Sequence, residues 1–287
     1  MKKVAIVTGA SRGIGLATVV ALAREEYDTI AVVKKMENSQ QITSIANELG
    51  NITIIKADIS DKNEIDQLFL EIKNKFGRID VLVNNAGFMA FGALEDMSEE
   101  VFRSQLETDF FAPVFIMKRA IPIMLSQEED VNGIKAHIIN ISSIAGKIPF
   151  AFSSAYTASK FALEGMSEAV SDEIESLGIR VRLVEPGVVK TDFFKNCQKF
   201  ISENSRYFEM TSIWDKTADK LFEKARTMPE DVANSVLDII KNPHSNFRNP
   251  VGQDAKLFLD TYSQYQENPQ KFKVWFAEQM EELFKVL

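Results

Sequence analysis

A tyrosine and a lysine four residues apart are the side chains of this sequence best suited to acid–base chemistry. Tyr156 and Lys160 lie one turn apart on a predicted helix and therefore share one face of it. A phenol has a pKa of about 10, and lowering it to about 7 takes roughly 4 kcal/mol of differential stabilisation. One cation at about 4 Å, with an effective dielectric constant near 20, supplies an energy of that order. The pair predicts a proton donor and acceptor, although by itself it also fits a surface tyrosine and a solvated lysine.

Ser143 precedes this pair and carries a hydroxyl that can donate a hydrogen bond to a substrate oxygen as negative charge develops on it. Other candidates for chemistry are weaker. His137 and His244 are isolated in the sequence, whereas a metal site needs several converging ligands, so we predict no metal site. Cys197 has no histidine near it in sequence to act as a base, which argues against a thiol nucleophile.

A glycine-rich segment near the N-terminus is suited to binding phosphate. Gly9, Gly13 and Gly15 lie between a predicted strand at residues 4–8 and a predicted helix at residues 14–24. A dinucleotide pyrophosphate needs a tight turn, close backbone approach and free N–H groups at a helix N-terminus. The spacing Gly-x-x-x-Gly-x-Gly differs from the common Gly-x-Gly-x-x-Gly fingerprint. Taken alone, the glycines could also serve only to pack a strand-to-helix turn.

The elements that must position these residues follow a regular pattern. Short apolar runs predict strands, and they alternate with longer amphipathic segments that predict helices. The predicted strands are residues 4–8, 29–33, 52–57, 81–84, 138–141 and 181–184, with a last one within 247–252. Continuously apolar strands joined by helices indicate a parallel sheet that is covered on both faces. We therefore predict an α/β fold, a doubly wound Rossmann-like sheet, in a single domain spanning residues 1–287.

The sequence changes character after Thr191. Residues 192–228 are rich in aromatic side chains and show no strand pattern, which predicts a lid over a substrate site. Residues 253–287 predict a C-terminal helical extension, whose last helix opens at Asn268-Pro269. Its apolar positions form one helical face, which we expect to pack on the domain or on a second subunit: Phe272, Trp275, Phe276, Met280, Leu283, Phe284 and Leu287.

Composition limits the possible partners. The 287 residues are 45% hydrophobic, which is enough for a sizeable core, and the net charge of −8 argues against nucleic acid as a partner. The single cysteine permits no intramolecular disulfide, as is usual in a reducing compartment. No apolar run approaches the roughly 18 residues of a membrane span. We expect a soluble, cytoplasmic protein with no membrane partner.

Several motifs together resemble the short-chain dehydrogenase/reductase family. Thr8 and the glycine segment are similar to its TGxxxGxG loop, and Asp58 matches an acid that follows the third strand. Asn84-Asn85-Ala86-Gly87, then Ser143 with Tyr156-Thr-Ala-Ser-Lys160, then Pro186-Gly187 with Thr191, match its later motifs in order. The resemblance covers residues 3–192. The wording NISSIAG, ASKFALEG and VEPG is nearest to a branch with 17β-hydroxysteroid and retinol dehydrogenases.

The resemblance implies hydride transfer between a nicotinamide cofactor and a carbonyl or alcohol. It makes Tyr156 the acid and base, Ser143 the partner of the substrate oxygen and Lys160 a ligand of the nicotinamide ribose. It places Asp58 beside adenine. The expected cofactor-binding residues, besides Tyr156 and Lys160, are Thr8, Gly9, Ser11, Arg12, Gly13, Ile14, Gly15, Lys34, Lys35, Asp58, Ile59, Asn85, Ala86, Gly87, Pro186, Gly187, Val189 and Thr191.

The type of nicotinamide cofactor is indicated by charge at the end of the second strand. Folds of this type that are specific for NAD usually place an acid there, to bond the ribose hydroxyl. This sequence has Lys34-Lys35 at that place, and Arg12 in the glycine loop. These cations can bind a 2′-phosphate, so we predict a preference for NADP(H), with NAD(H) remaining possible. Both lysines pointing to solvent is the alternative.

One residue departs from the family pattern. Asp109 stands where the family usually has asparagine, the fourth member of its catalytic set, which holds a water linking the lysine to solvent. A carboxylate near Lys160 would partly cancel the cation that lowers the pKa of Tyr156. We therefore expect Tyr156 to titrate higher than in asparagine-bearing relatives. The alternatives are that burial keeps Asp109 protonated or that it lies away from the site.

Apolar residues beside three of the motifs predict a lipophilic substrate: Phe88, Met89, Phe91, Phe150, Phe152, Phe193 and Phe194. A small polar substrate is an alternative, and a cofactor-binding sensor or scaffold without catalysis is another. From the resemblance we also expect a homodimer or homotetramer formed by helices at 99–125 and 155–177. Apolar Phe110, Phe111, Val114, Phe115 and Met117 fit such a surface but equally fit a core.

Overall fold

A parallel sheet forms the centre of the molecule. The structure is a computed structural model that describes residues 2–265 and 267–285. Its main strands are β1 (Val4–Thr8), β2 (Asp28–Val33), β3 (Ile52–Lys56), β4 (Val81–Asn84), β6 (Ala136–Ile141), β7 (Ile179–Pro186) and β9 (Arg248–Val251). Within the described residues these seven strands pair in parallel, in the order β3-β2-β1-β4-β6-β7-β9. Two further short strands, β5 (Ala90–Gly92) and β8 (Gln198–Phe200), pair with each other.

Helices cover both faces of the sheet, as the apolar strands predict. They are α1 (Gly13–Arg24), α2 (Gln40–Leu49), α3 (Lys62–Lys75), α4 (Glu99–Leu106), α5 (Ala112–Leu125), α6 (Ser154–Ile174), α7 (Phe208–Glu223), α8 (Pro229–Lys241), α9 (Gln253–Gln264) and α10 (Pro269–Lys285). Along β1, Val4 and Ile6 face the core under α3 and α5, while Ala5 and Val7 face the core under α1 and α8. This alternation confirms the doubly wound Rossmann-like fold in a single domain.

The predicted long helix at 99–125 is present, but it contains one irregular turn near the site. A π-helical turn at Glu107–Phe111 separates α4 from α5. Pro113 has no N–H to donate to the carbonyl of Asp109 four residues earlier, so regular α-helical bonding cannot run through this point. Such single wide turns often lie at functional sites, and this one carries Asp109.

The predicted absence of a strand in the lid is wrong. β8 pairs with β5, which follows the Asn84–Gly87 motif, and the N–H of Gln198 donates to the carbonyl of Met89 at 2.8 Å. A Cβ on Gly92 would lie 2.6 Å from the carbonyl oxygen of Phe200, so glycine lets the two strands approach. The pairing fixes the start of the lid to the segment that follows the Asn84–Gly87 motif.

Aromatic packing joins the lid to the C-terminal extension. Trp214 of α7 stacks on Phe276 of α10 with ring centroids 6.4 Å apart, and Phe276 also meets Phe150 at 5.7 Å. Phe272 is buried against α9. Phe272 and Phe276, which belong to the apolar face predicted for the last helix, therefore pack on the domain. Side chains from Met280 onward, including Leu283, Phe284 and Leu287, lie outside the described part.

A charged cluster holds α6 against the edge of the sheet. Arg248 of β9 donates to Glu164 at 3.0 Å and to Glu168 at 2.9 Å, both on α6. Buried Glu185 lies 3.9 Å from the same guanidinium. Burial, followed by the nearby charge of Glu164, raises the pKa of Glu185 to about 7. The cluster therefore fixes the helix that carries Tyr156 and Lys160.

Among the described residues, no helix combines the length and apolarity that crossing a bilayer requires.

Candidate active site

The glycine loop between β1 and α1 is packed tightly against the loop that follows β4. Gly9 has φ of +68°, and a Cβ there would lie 2.7 Å from the Cα of Ala86. A Cβ on Gly15 would lie 2.3 Å from the carbonyl oxygen of Gly9. The Thr8 hydroxyl accepts hydrogen bonds from the backbone N–H groups of Asn85 and Ala86, both at 3.0 Å. Thr8 thus joins two loops and does not line the cavity described next.

A cavity of about 1830 Å³ runs from this loop to the lid. It passes the N-terminus of α1, whose first turn carries no acidic residue, so the free N–H groups there suit an anion. Of the residues predicted to bind cofactor or substrate oxygen, the following line it: Gly9, Ser11, Arg12, Gly13, Ile14, Gly15, Lys34, Asp58, Ile59, Asn85, Ala86, Gly87, Asp109, Ser143, Tyr156, Lys160, Pro186, Gly187, Val189 and Thr191. Shape and donors both fit a dinucleotide.

Charges pair at the far end of the cavity, beyond the glycine loop. The ammonium of Lys34 lies 2.8 Å from a carboxylate oxygen of Asp58. Burial raises the pKa of Asp58, but hydrogen bonds from Lys34 and Ser60 outweigh it and hold the pKa below its ordinary value. Lys34 lines the cavity and can contact a bound phosphate there, but the phosphate would share its ammonium with Asp58. Lys35 does not line the cavity, so only the first of the two predicted lysines is brought to the site.

Helix α6 brings the predicted acid–base pair together in a buried corner. The ammonium of Lys160 lies 5.6 Å from the ring centroid of Tyr156 and donates to the carbonyl of Ile141 at 3.1 Å. Both side chains are at least nine-tenths buried. Burial raises the pKa of Tyr156. The charge of Lys160 and a hydrogen bond with Ser143 oppose this rise, whereas the charge of Asp109 adds to it. The corner can hold and move a proton, and Lys160 supplies the charge that favours its release.

Asp109 lies within the site and not away from it. Its carboxylate is 3.5 Å from the ammonium of Lys160 and accepts a hydrogen bond from the N–H of Phe88 at 3.2 Å. A Cβ on Gly87 would lie 2.8 Å from the same carboxylate, so this glycine leaves room for it. Burial, opposed by Lys160, raises the pKa of Asp109 to about 6. A carboxylate with this pKa is mainly ionised above neutral pH, as the expected effect of its charge on Tyr156 requires.

Two buried amide side chains, of Gln105 and Asn140, support the site, and sequence analysis did not predict either role. Buried Gln105 accepts from the N–H of Ala90 and donates to the carbonyl of Phe88, both at 2.8 Å, and so braces the loop that follows β4. Asn140 of β6 accepts from Asn84 and donates to Ser167 of α6, again at 2.8 Å each. A lone glutamine on an amphipathic helix carries no sequence signal for this role. For the bonds of Asn140, the sequence does carry a signal, because Asn84 and Asn140 are polar residues within apolar strands.

The remaining candidates are not arranged for catalysis. Burial, reinforced by nearby Arg182, lowers the pKa of His137 to about 4, so the imidazole is neutral. Burial raises the pKa of Cys197 to about 11, which keeps the thiol protonated. In the part of the chain that the structure describes, no group of three or more His, Cys, Asp or Glu side chains could hold a metal ion.

Comparisons with known proteins agree with the fold and show the family. The family model for short chain dehydrogenase matches residues 3–201. Human retinol dehydrogenase 8 is 30% identical over 257 residues, covering 85% of this chain and 79% of that protein. A crystal structure of a short-chain dehydrogenase from Streptomyces avermitilis superposes with a TM-score of 0.80 at 30% identity, covering 96% of this chain and 99% of that one. A metagenomic short-chain oxidoreductase in complex with NADP gives a TM-score of 0.66 at 28% identity, over 87% and 96%.

Replacing the carboxylate of Asp109 tests its electrostatic role. In Asp109→Asn the negative charge that raises the pKa of Tyr156 is lost, so that pKa falls. The pH–rate profile of alcohol oxidation should therefore move to lower pH, by about half to one unit. Cofactor affinity, measured by titration calorimetry, should stay nearly constant.

The matched control is Asp66→Asn, which removes an acid that pairs with Arg119 at the surface. It should leave the profile in place. An unchanged profile in Asp109→Asn would mean that the carboxylate is electrostatically silent at Tyr156.

Proposed function

The chain belongs to the short-chain dehydrogenase/reductase family, and on that premise we propose that it transfers a hydride between NADP(H) and the carbonyl or alcohol group of a lipophilic substrate. Family membership makes it an oxidoreductase acting on CH–OH or C=O groups with a nicotinamide cofactor. The observation that carries the finer proposal is one cavity in which Ser143, Tyr156 and Lys160 meet the glycine loop at one side and an aromatic wall at the other.

The residues of the corner supply the proton chemistry. When bound, the nicotinamide supplies or accepts the hydride. In the direction of reduction, Tyr156 gives the proton of its phenol to the substrate oxygen, and Ser143 donates a hydrogen bond that stabilises the developing negative charge. In the direction of oxidation, Tyr156 takes the alcohol proton, which requires the phenolate. The buried ammonium of Lys160 stabilises that phenolate.

The preference for NADP(H) is supported by the cations along the cavity. Lys34 stands directly after β2, where an acid would bind the ribose hydroxyl of NAD, and Arg12 lies in the glycine loop. A charge-assisted hydrogen bond contributes roughly 1.5–3 kcal/mol, which corresponds to a preference of at least about tenfold. The 28% identical metagenomic relative binds NADP.

The lipophilic substrate is supported by the wall at the other end. Aromatic and apolar side chains of the core, the lid and the last helix line it: Phe88, Met89, Phe91, Phe150, Phe193, Phe194, Trp214 and Phe276. Phe152, also expected there, does not line the cavity. Phe194 is buried between Phe91 and Phe222, so part of the set packs the lid onto the core. The relative retinol dehydrogenase 8 is named for a lipophilic alcohol.

We also propose a homodimer or homotetramer formed through the faces of α5 and α6. Phe111, in the π-helical turn before α5, and Phe161 of α6 are 40% and 42% exposed, whereas Met117 belongs to the core and is not a surface residue. Light scattering at micromolar concentration should give at least twice the chain mass of 32.3 kDa. Phe161→Asp, which places a charge in such an interface, should lower the mass. A wild-type protein that is only monomeric would contradict the proposal.

A substrate panel tests the proposed reaction. Aldehydes and ketones with apolar bodies of increasing size, and the matching alcohols, are assayed by nicotinamide absorbance with NADPH or NADP⁺ and with NADH or NAD⁺. We expect kcat/KM to rise with apolar size and to be at least about tenfold higher with NADP(H). Tyr156→Phe should lose roughly 10²–10⁴-fold activity while still binding cofactor.

Lys34→Asp is the variant that separates the cofactor proposal from the substrate proposal. It should shift the preference toward NAD(H) without changing the order of substrates. Turnover restricted to small charged or sugar substrates would contradict the lipophilic site. Equal or better efficiency with NADH in the wild type would contradict the cofactor preference.

A further inference from the structure

We propose that Asp254 is a positioning residue for the nicotinamide end of the cofactor, holding the loop at residues 186–191 in shape and favouring the oxidised ring by its charge. The inference rests on the proposed function, because it assumes that a nicotinamide binds beside Tyr156. Asp254 lies in the first turn of α9, outside the segment 3–201 that matches the family model.

The carboxylate of Asp254 is bonded directly to that loop. It accepts a hydrogen bond from the N–H of Val188 at 2.6 Å, across 66 positions of sequence. The side chain is half-buried and lines the same cavity as Tyr156 and Lys160. In the described part of the chain no ion pair within 4 Å includes Asp254, and its carboxylate lines a cavity that Lys160, Lys190 and Lys256 also line.

Two glycines from different loops leave the space that this carboxylate occupies. A Cβ on Gly187 would lie 2.2 Å from one carboxylate oxygen, and a Cβ on Gly252 would lie 2.5 Å from the other. Gly252 also has φ of +106°, a conformation that other residues rarely adopt. The glycine of the Pro186-Gly187 motif is therefore required for contact with Asp254, in addition to any contact with a ligand.

The hydrogen bonds of the loop leave one amide for a ligand. The N–H of Gly187 donates to the carbonyl of Val251, and the N–H of Val188 donates to Asp254. The N–H of Lys190 donates to the carbonyl of Thr227, and the N–H of Thr191 donates to the carbonyl of Val189. Within the described residues the N–H of Val189, which lines the cavity, has no acceptor. By holding Val188, Asp254 fixes the direction of this adjacent free N–H, a donor suited to the carboxamide oxygen of a nicotinamide.

The charge of Asp254 should act differently on the two forms of the cofactor. Oxidised nicotinamide is a cation and reduced nicotinamide is neutral, so an unpaired carboxylate in the same cavity stabilises the oxidised form more. Positioning and charge can be separated by substitution. Asp254→Asn keeps an oxygen that can accept from Val188 but removes the charge, and Asp254→Ala removes both.

The test is calorimetric binding of NADP⁺, NADPH and 2′-phospho-ADP-ribose, which is NADP without its nicotinamide. In Asp254→Asn, NADP⁺ should bind several-fold more weakly while NADPH changes little. In Asp254→Ala, NADPH should bind about tenfold more weakly because the bond that holds the loop is lost, and NADP⁺ should bind more weakly still because the charge is lost as well. In both variants, 2′-phospho-ADP-ribose should bind as it does to the wild type, which also shows that the fold is intact.

Asp231→Ala is the matched control. Asp231 also lies in the first turn of a helix, accepts a backbone N–H at 2.7 Å, from Met228, and lines the cavity. Asp231 is exposed, so water screens its charge, and its loss should weaken none of the three ligands selectively. Equal weakening of 2′-phospho-ADP-ribose in Asp254→Ala would show a general structural role and overturn the proposal, and so would unchanged binding of all three. A wild type that binds neither NADP⁺ nor NADPH would instead overturn the proposed function itself.

Discussion

The ammonium of Lys160, buried in the corner beside Tyr156, is the charge on which the site depends. Removing a cation from water is costly unless partners replace the solvent, and here the carbonyl of Ile141 and the carboxylate of Asp109 do so at 3.1 and 3.5 Å. The same carboxylate opposes the effect of Lys160 on the pKa of Tyr156. The chain therefore stabilises its buried lysine with a group that makes its tyrosine a weaker acid, where an asparagine would not.

That corner exists only if α6 keeps its place on the sheet. Arg248 holds the helix through Glu164, Asn140 holds it through Ser167, and a Cβ on Gly146 would lie 2.7 Å from Glu164, so the segment after Ser143 packs directly on α6. Parallel strands bring the loops after β1, β4, β6 and β7 to one edge, where they face the helix. Positioning, and not any unusual side chain, brings an ordinary serine, tyrosine and lysine together.

The parts that sequence predicted are those encoded locally. Apolar runs located the strands of the main sheet, and motif spacing located the glycine loop, Ser143, Tyr156 and Lys160. The π-helical turn and the pairing of β8 with β5 escaped because each depends on a distant contact or on backbone bonding that Pro113 alters. Asp254 escaped for the same reason, since only folding brings it to Val188. Lys34 and Lys35 look equivalent in sequence, but they follow the strand in irregular backbone, and only Lys34 lines the cavity.

The acidity of Tyr156 depends on the buried ammonium of Lys160, and this dependence can be measured. It is tested most directly by following the phenol carbon of Tyr156 with ¹³C-tyrosine NMR as pH is varied, in the cofactor-bound wild type and in Lys160→Met, with Tyr156→Phe used to assign the signal. Loss of the cation should raise the pKa of Tyr156 by at least about one unit. The same pKa in both proteins would contradict the account.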